Sequence, residues 1–373
     1  MELSYVLPLR CESCGGGHEE LGTYLEGIAQ LAEVIVVDGS DPPIFSAHAR
    51  VWPPGLRHLT PDPDVTATNG KVAGVTTGLR AASFEHVVIA DDDVRWTAEQ
   101  LRAVESRLRG ADLVIPQNAF SPSAAWHARW DMARTLLNRA IGYDYPGTLA
   151  IRRSAFHGYD GDVLFENLEL IRTIRASGGE VAVALDLLVP RRPPTTAAFA
   201  RQRVRQAYDD LAQPARLVAE LVLLPATIHL VRRRRWDVLA VAGGLSVALA
   251  DAGRRRAGGR AALPGVAAWF APVWLSERAI CVWIAVGSRV VRGGCTYRGV
   301  KIRRAATPMR VLRRRARVGA QTEGVERGGP AAWVPSHNGF VRDLPHRQSA
   351  TTSRRTSSSS PSSSTSRTGP RTR

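Results

Sequence analysis

His86-Val87-Val88-Ile89-Ala90-Asp91-Asp92-Asp93 runs a short apolar strand directly into three consecutive carboxylates. The same grammar precedes it: Leu3–Leu7 is apolar, Glu19–Glu33 carries Leu21, Tyr24, Leu25, Ile28 and Leu31 at helical spacing, and Val34–Val37 is apolar on both faces. A helix is expected from Lys71 to Ala82, and Thr97 with Gln100 forms a capping-box pattern that opens another. Strands at Asp112–Pro116, Thr148–Ile151 and Val181–Leu185 then alternate with helices over Trp126–Ile141 and Glu166–Ala176. Strands that are apolar on both faces and separated by helices predict an α/β fold, a mainly parallel sheet covered on both sides. In such sheets ligands bind beyond the carboxyl ends of the strands, where the aspartates stand.

Like charges at about 5 Å and an effective dielectric of about 20 repel by about 3 kcal/mol per pair, so three carboxylates gathered in a cleft require compensation. A hard divalent cation, Mg²⁺ or Mn²⁺, supplies it and would in turn neutralise a diphosphate. The same run also suits a solvated acidic turn in which Asp93 or Thr97 caps the next helix. Asp38 ends the strand Val34–Val37 and is placed to accept hydrogen bonds from a base or ribose, though Asp38-Gly39 is equally ordinary turn chemistry. Lys71 is the only lysine in the first 300 residues and opens a helix, where its ammonium suits a phosphate or an acidic cleft. Glu166 and Glu169 lie three apart at a helix start, and Gln202 and Arg205 share a face of a basic helix read over Thr195–Gln213.

Charge divides the chain. Residues 1–190 hold 16 basic and 25 acidic side chains, whereas 191–373 hold 34 and 9. With 44% apolar residues and four cysteines over 373 residues, a collagen, a disulfide-stapled miniprotein and a wholly disordered chain are excluded. The basic residues accompany apolar blocks and no zinc or helix-turn-helix signature, so an anionic membrane is the expected partner and nucleic acid is not. Leu217–Val231 and Trp236–Ala250 are each short for a bilayer crossing and flank the arginines of 232–235, which predicts interfacial or re-entrant helices. Leu263–Val291 is long enough to cross but contains Glu277-Arg278. A buried helical second domain is the soluble alternative. From 305 onward a disordered, basic, Ser/Thr-rich tail is expected, and 16 of the 25 residues from Ser349 are Ser or Thr. Met1–Leu9 has no apolar run of signal-peptide length, so the first half is expected to stay in the cytoplasm.

Taken together and in order, Asp38, Lys71, Asp91-x-Asp93, Glu166-Asn167-x-Glu169 and Gln202-x-x-Arg205, followed by membrane-like helices, resemble the family 2 glycosyltransferases of GT-A fold. The likeness is greatest to the membrane-bound branch that includes ceramide glucosyltransferase and hopanoid-lipid glycosyltransferases. It extends over about residues 3–304, including Tyr297, Arg298-Gly299 and Lys301. The resemblance implies a catalytic domain over 1–190, membrane-associated helices over 191–304 and the tail beyond. It also implies an inverting, cell-membrane enzyme that moves a sugar from a nucleotide-sugar donor to a lipid or membrane-presented acceptor. Asp38, Lys71, Asp91, Asp92, Gln202 and Arg205 would hold the donor, Asp93 and Asp91 the metal, and Glu166, with Asp162 and Glu169 behind it, would supply the base. Two departures stand out: Asn167 occupies the position at which the family commonly has an aspartate, and Arg205-Gln206 replaces the family's Arg-Trp. A catalytically silent scaffold and a nucleotidyltransferase are the alternatives on the same fold.

Overall fold

Alternation of side chains along each strand builds the fold. Leu3, Tyr5 and Leu7 of β1 (Leu3–Leu9) face one core and Val6 the other; Val34 and Val36 of β2 (Glu33–Asp38) face the first, Ile35 and Val37 the second. A strand whose two faces are both apolar has to be covered twice. On one face lie α1 (His18–Ala29), α2 (Pro42–Val51) and α4 (Ala98–Leu108), through Leu21, Leu25, Trp52, Leu101 and Val104. On the other lie α3 (Gly70–Ala81) and α6 (Glu166–Ala176), through Val75, Leu79, Leu170 and Ile171. The computed structural model describes residues 1–12 and 18–326. Cys14, the Gly15–Gly17 run and the tail beyond 326 lie outside them.

The sheet has seven strands. With β3 (Arg57–Leu59), β4 (His86–Ala90), β5 (Leu113–Ala119), β6 (Thr148–Arg152) and β7 (Val181–Pro190), the order is β3-β2-β1-β4-β6-β5-β7. All pairings are parallel except the two made by β6, which runs against β4 and β5. The expected mainly parallel, helix-covered sheet is therefore present. β3, α2 and the reversal of β6 were not foreseen. α2 begins with Pro42 and Pro43 in its first turn, a helix start rather than the stop that paired prolines suggest. The Thr97 capping box is formed, with both hydrogen bonds in place.

Beyond β7 the chain turns helical. α7 (Thr196–Asp209) is followed by α8 (Pro214–Arg232), α9 (Trp236–Arg255) and α10 (Ala271–Val291), while α5 (Trp126–Ile141) lies earlier, between β5 and β6. Because the helices continue into the polar flanks of each apolar block, all three are long and apolar enough to cross a membrane by length and composition. Val222, Val241, Leu245, Ile280 and Val291 are exposed along them. α9 nonetheless packs on α5 so closely that a Cβ added at Gly253 would fall 1.9 Å from the Leu136 carbonyl oxygen. A hairpin of β8 (Cys295–Tyr297) and β9 (Val300–Ile302) follows, turning at Arg298 (φ 48°) and Gly299 (φ 80°). The expectation of disorder from 305 is corrected for its first part: Met309–Glu326 form α11, with Leu312 buried and Arg315 paired to Asp160.

Candidate functional site

Three chain segments deliver charge to one point. Asp91 leaves the carboxyl end of β4, Lys71 stands in the first turn of α3, with Asn69 as the cap, and Glu166 opens α6. Nζ of Lys71 lies 2.6 Å from Oδ1 of Asp91 and 2.8 Å from Oε1 of Glu166. Burial disfavours the ammonium, but the two carboxylates outweigh it and raise its pKa. Arg191, just past β7, places Nε 2.8 Å from Oδ2 of Asp93 and Nη2 3.9 Å from Oδ2 of Asp91. Lys71 and Arg191 of this chain thus supply part of the compensation that the crowded aspartates require. Burial still pushes Asp93 upward, with Arg191 opposing and Asp91 adding to the shift.

Asp91, Asp93, Glu166 and Asn167 line a single hollow together with Gln202, Arg205, Gln206 and Asp209 of α7. Positions 202, 205, 206 and 209 form one helical face. Arg205 lies over the Tyr297 ring at 4.9 Å, so the β8–β9 hairpin supports the guanidinium from behind. Asn167 turns its amide to the Pro146 carbonyl at 2.8 Å.

The other sequence candidates lie elsewhere. Asp38 is 1% exposed, and its oxygens accept from the Ser40 amide, His48 Nδ1 at 2.6 Å and His58 Nε2 at 3.2 Å. Burial opposes ionisation there, yet those hydrogen bonds hold its carboxyl well below the ordinary range. The side chain secures the turn after β2 and presents no open acceptor to a nucleotide. Asp92 is exposed, with its carbonyl accepting from Arg95. Asp162 accepts from Thr68 and borders a separate recess with Arg289 and Lys301. Glu169 is fully buried and accepts from the Thr307 amide at 2.6 Å, so it ties the segment before α11 to α6 and does not face the hollow.

Sequence reading missed Arg191, Gly147 and Asp209. A Cβ on Gly147 would come 2.6 Å from Oδ2 of Asp91, so glycine there gives the carboxylate its place. Asp209 could have been found by continuing the Gln202–Arg205 face one further turn.

The two carboxylates fit a hard dication. Oδ1 of Asp93 is buried without a hydrogen-bond partner, and Mg²⁺-type ions are commonly held by one or two carboxylates together with substrate phosphates. Among the described residues no group of three or more His, Cys, Asp or Glu could hold a metal unaided, so the fit requires a ligand that brings further oxygens.

No family model matches the chain. No curated protein matches it either. Solved structures do show likeness. A mannosyltransferase from Pyrobaculum calidifontis in complex with GDP-Man and Mn²⁺ is 19% identical, over 76% of this chain and 87% of that one, with a TM-score of 0.44. Glucosyl-3-phosphoglycerate synthase from Mycobacterium tuberculosis, in complex with Mn²⁺, UDP and phosphoglyceric acid, is 21% identical over 54% and 75%, with a TM-score of 0.36. Mannosyl-3-phosphoglycerate synthase from Rubrobacter xylanophilus is 15% identical over 53% and 69%, with a TM-score of 0.37.

Proposed function

We propose that the protein is a metal-dependent, inverting glycosyltransferase of the membrane-bound family 2 kind, with its catalytic part on the cytoplasmic side. Its donor is a nucleotide diphosphate sugar and its acceptor a hydroxyl of a lipid or membrane-presented molecule. The observation that carries this reading is the convergence of Asp91, Asp93 and Arg205 on one hollow at the carboxyl end of β4, with Lys71 ion-paired to Asp91 beside it. Paired carboxylates beside a lysine and an arginine suit a diphosphate carried with a dication, and suit few neutral ligands. Exposed apolar side chains on α8, α9 and α10 support a membrane setting and an acceptor presented from it.

Asp91 and Asp93 would hold Mg²⁺ or Mn²⁺, which supplies charge neutralisation of the departing diphosphate. Lys71 and Arg205 bring fixed positive charge to the same phosphate region, and Gln202 brings an amide one turn before Arg205. Inversion requires the acceptor oxygen to approach the anomeric carbon from the face opposite the diphosphate, with a proton acceptor on that side. Glu166 lines the hollow, where its carboxylate is held in an ion pair with Lys71. A panel of nucleotide sugars offered to the full chain, with and without Mn²⁺, tests the reading. Metal-dependent release of one nucleoside diphosphate supports it. Release of pyrophosphate would point to nucleotidyl transfer, and release of nothing to a silent scaffold.

A further inference from the structure

Six acidic side chains line the hollow: Asp91, Asp93, Asp131, Glu166, Asp209 and Asp210. Five are ion-paired. Asp91 and Glu166 share Lys71, Asp93 has Arg191, Asp131 has Arg203 and Asp210 has Arg278. Among the described residues Asp209 has no cation within ion-pair distance, and its Oδ1 is buried without a hydrogen-bond partner. A carboxylate with a buried, unpartnered oxygen and no ion-pair partner in a charged cleft binds a proton more readily than its paired neighbours. Nothing in the packing of α7 explains an aspartate here, since the buried side of that helix is built from Phe199, Arg203, Ala207 and Tyr208.

Resting on the glycosyltransferase reading, we infer that Asp209 is the proton acceptor for the attacking hydroxyl, in the place the sequence assigned to Glu166. As the acceptor oxygen bonds to the anomeric carbon, the bond from that carbon to the diphosphate oxygen breaks and its electron pair leaves with the diphosphate. The hydroxyl proton passes to Asp209, whose carboxylate becomes the carboxylic acid and later returns the proton to solvent. Burial pushes the Asp209 carboxyl up to about 7, with Arg205 of its own helix opposing, Glu166 of α6 and Asp210 adding, and Arg278 of α10 opposing. The Cys295 thiol of β8 also faces it. An acceptor with that affinity is matched to proton abstraction near neutral pH.

Water serves as the probe acceptor. Hydrolysis of GDP-mannose and UDP-glucose by the full chain in detergent with Mn²⁺ is followed from about pH 5 to 9, for the wild type, D209N, D209E and E166Q. Asp209 predicts a wild-type rate that climbs about tenfold per pH unit and levels near 7. It predicts a fall of at least about 100-fold and loss of that limb in D209N, partial recovery in D209E, a limb retained in E166Q, and nucleoside diphosphate binding unchanged in D209N. A D209N enzyme that keeps both the rate and the limb, or a limb lost in E166Q instead, overturns the assignment while the transferase reading stands. A wild type that hydrolyses neither donor at any pH overturns both.

Discussion

Nζ of Lys71 stands 2.6 Å from Oδ1 of Asp91, so the first turn of α3 is fastened to the end of β4 by an ion pair that also takes in Glu166. The three side chains are largely buried, and among the described residues the lysine is the only cation paired to both acids. Removing it leaves two carboxylates facing one another.

Lys71→Met is therefore expected to destabilise the fold by on the order of 3 kcal/mol and to abolish donor turnover, because one partner of a buried charge cluster is lost. Chemical denaturation alongside nucleotide-sugar hydrolysis measures both effects. Unchanged stability would show that the triad is solvated and carries little energy.

Gly147→Ala tests the placement of Asp91 without removing any charge. The new methyl would meet Oδ2 at 2.6 Å, and the carboxylate, as the far end of a movable side chain, would shift. Affinity for a nucleoside diphosphate with Mn²⁺ should fall about tenfold, on the order of 1.4 kcal/mol, with a smaller loss of stability than in Lys71→Met because the ion pair is displaced and not removed. Calorimetry decides it: equal affinity would mean that Asp91 does not contact the ligand.

How far the site was legible follows from which of its features are local. The strand His86–Ala90 and its aspartates are contiguous, and Gln202 and Arg205 share a helix face, so both can be read from spacing. Arg191 cannot, because it reaches Asp93 across 98 positions and sits among arginines of similar appearance. Asp38 misled for a related reason. An aspartate after a strand looks like an open acceptor, and only the fold brings His48 and His58 onto it. Glu169 shares a helical turn with Glu166 by spacing, but Thr307, 138 positions later, claims it for packing. The sheet was legible because apolar alternation is strong; β3, with three residues, and the reversal of β6 leave no periodic signal.

Glu33 sets an acid limit on stability far from the hollow. Burial raises its pKa, but hydrogen bonds from Ser4, Ser83 and Arg57 outweigh that and lower it from 4.5 to about 2. A lowered folded-state pKa gives stability that is complete above 4.5 and lost as pH falls through about 2. Glu33→Gln should be less stable than the wild type at pH 7, with the difference shrinking below pH 4.5 and gone near 2. Denaturant midpoints across that range check it; a gap that does not vary with pH would remove Glu33 as the source.

Gly253→Ala probes the contact of α9 with α5. Its methyl would meet backbone atoms, the Leu136 carbonyl oxygen at 1.9 Å and the Ala140 nitrogen at 2.8 Å, which cannot rotate away. A loss of about 3 kcal/mol is expected, at the upper end of overpacking costs. Thermal unfolding in detergent reports it, and a wild-type midpoint would mean the two helices are not in contact.

The central claim is that Asp93, with Asp91, brings a metal-bound nucleotide diphosphate sugar into this hollow. Its most direct measurement is Mn²⁺-dependent release of nucleoside diphosphate by the full chain, compared with that of a folded Asp93→Ala variant. The account predicts release by the wild type, abolished by chelation, and at least about 100-fold less by the variant. Equal, metal-dependent release by both proteins would contradict it.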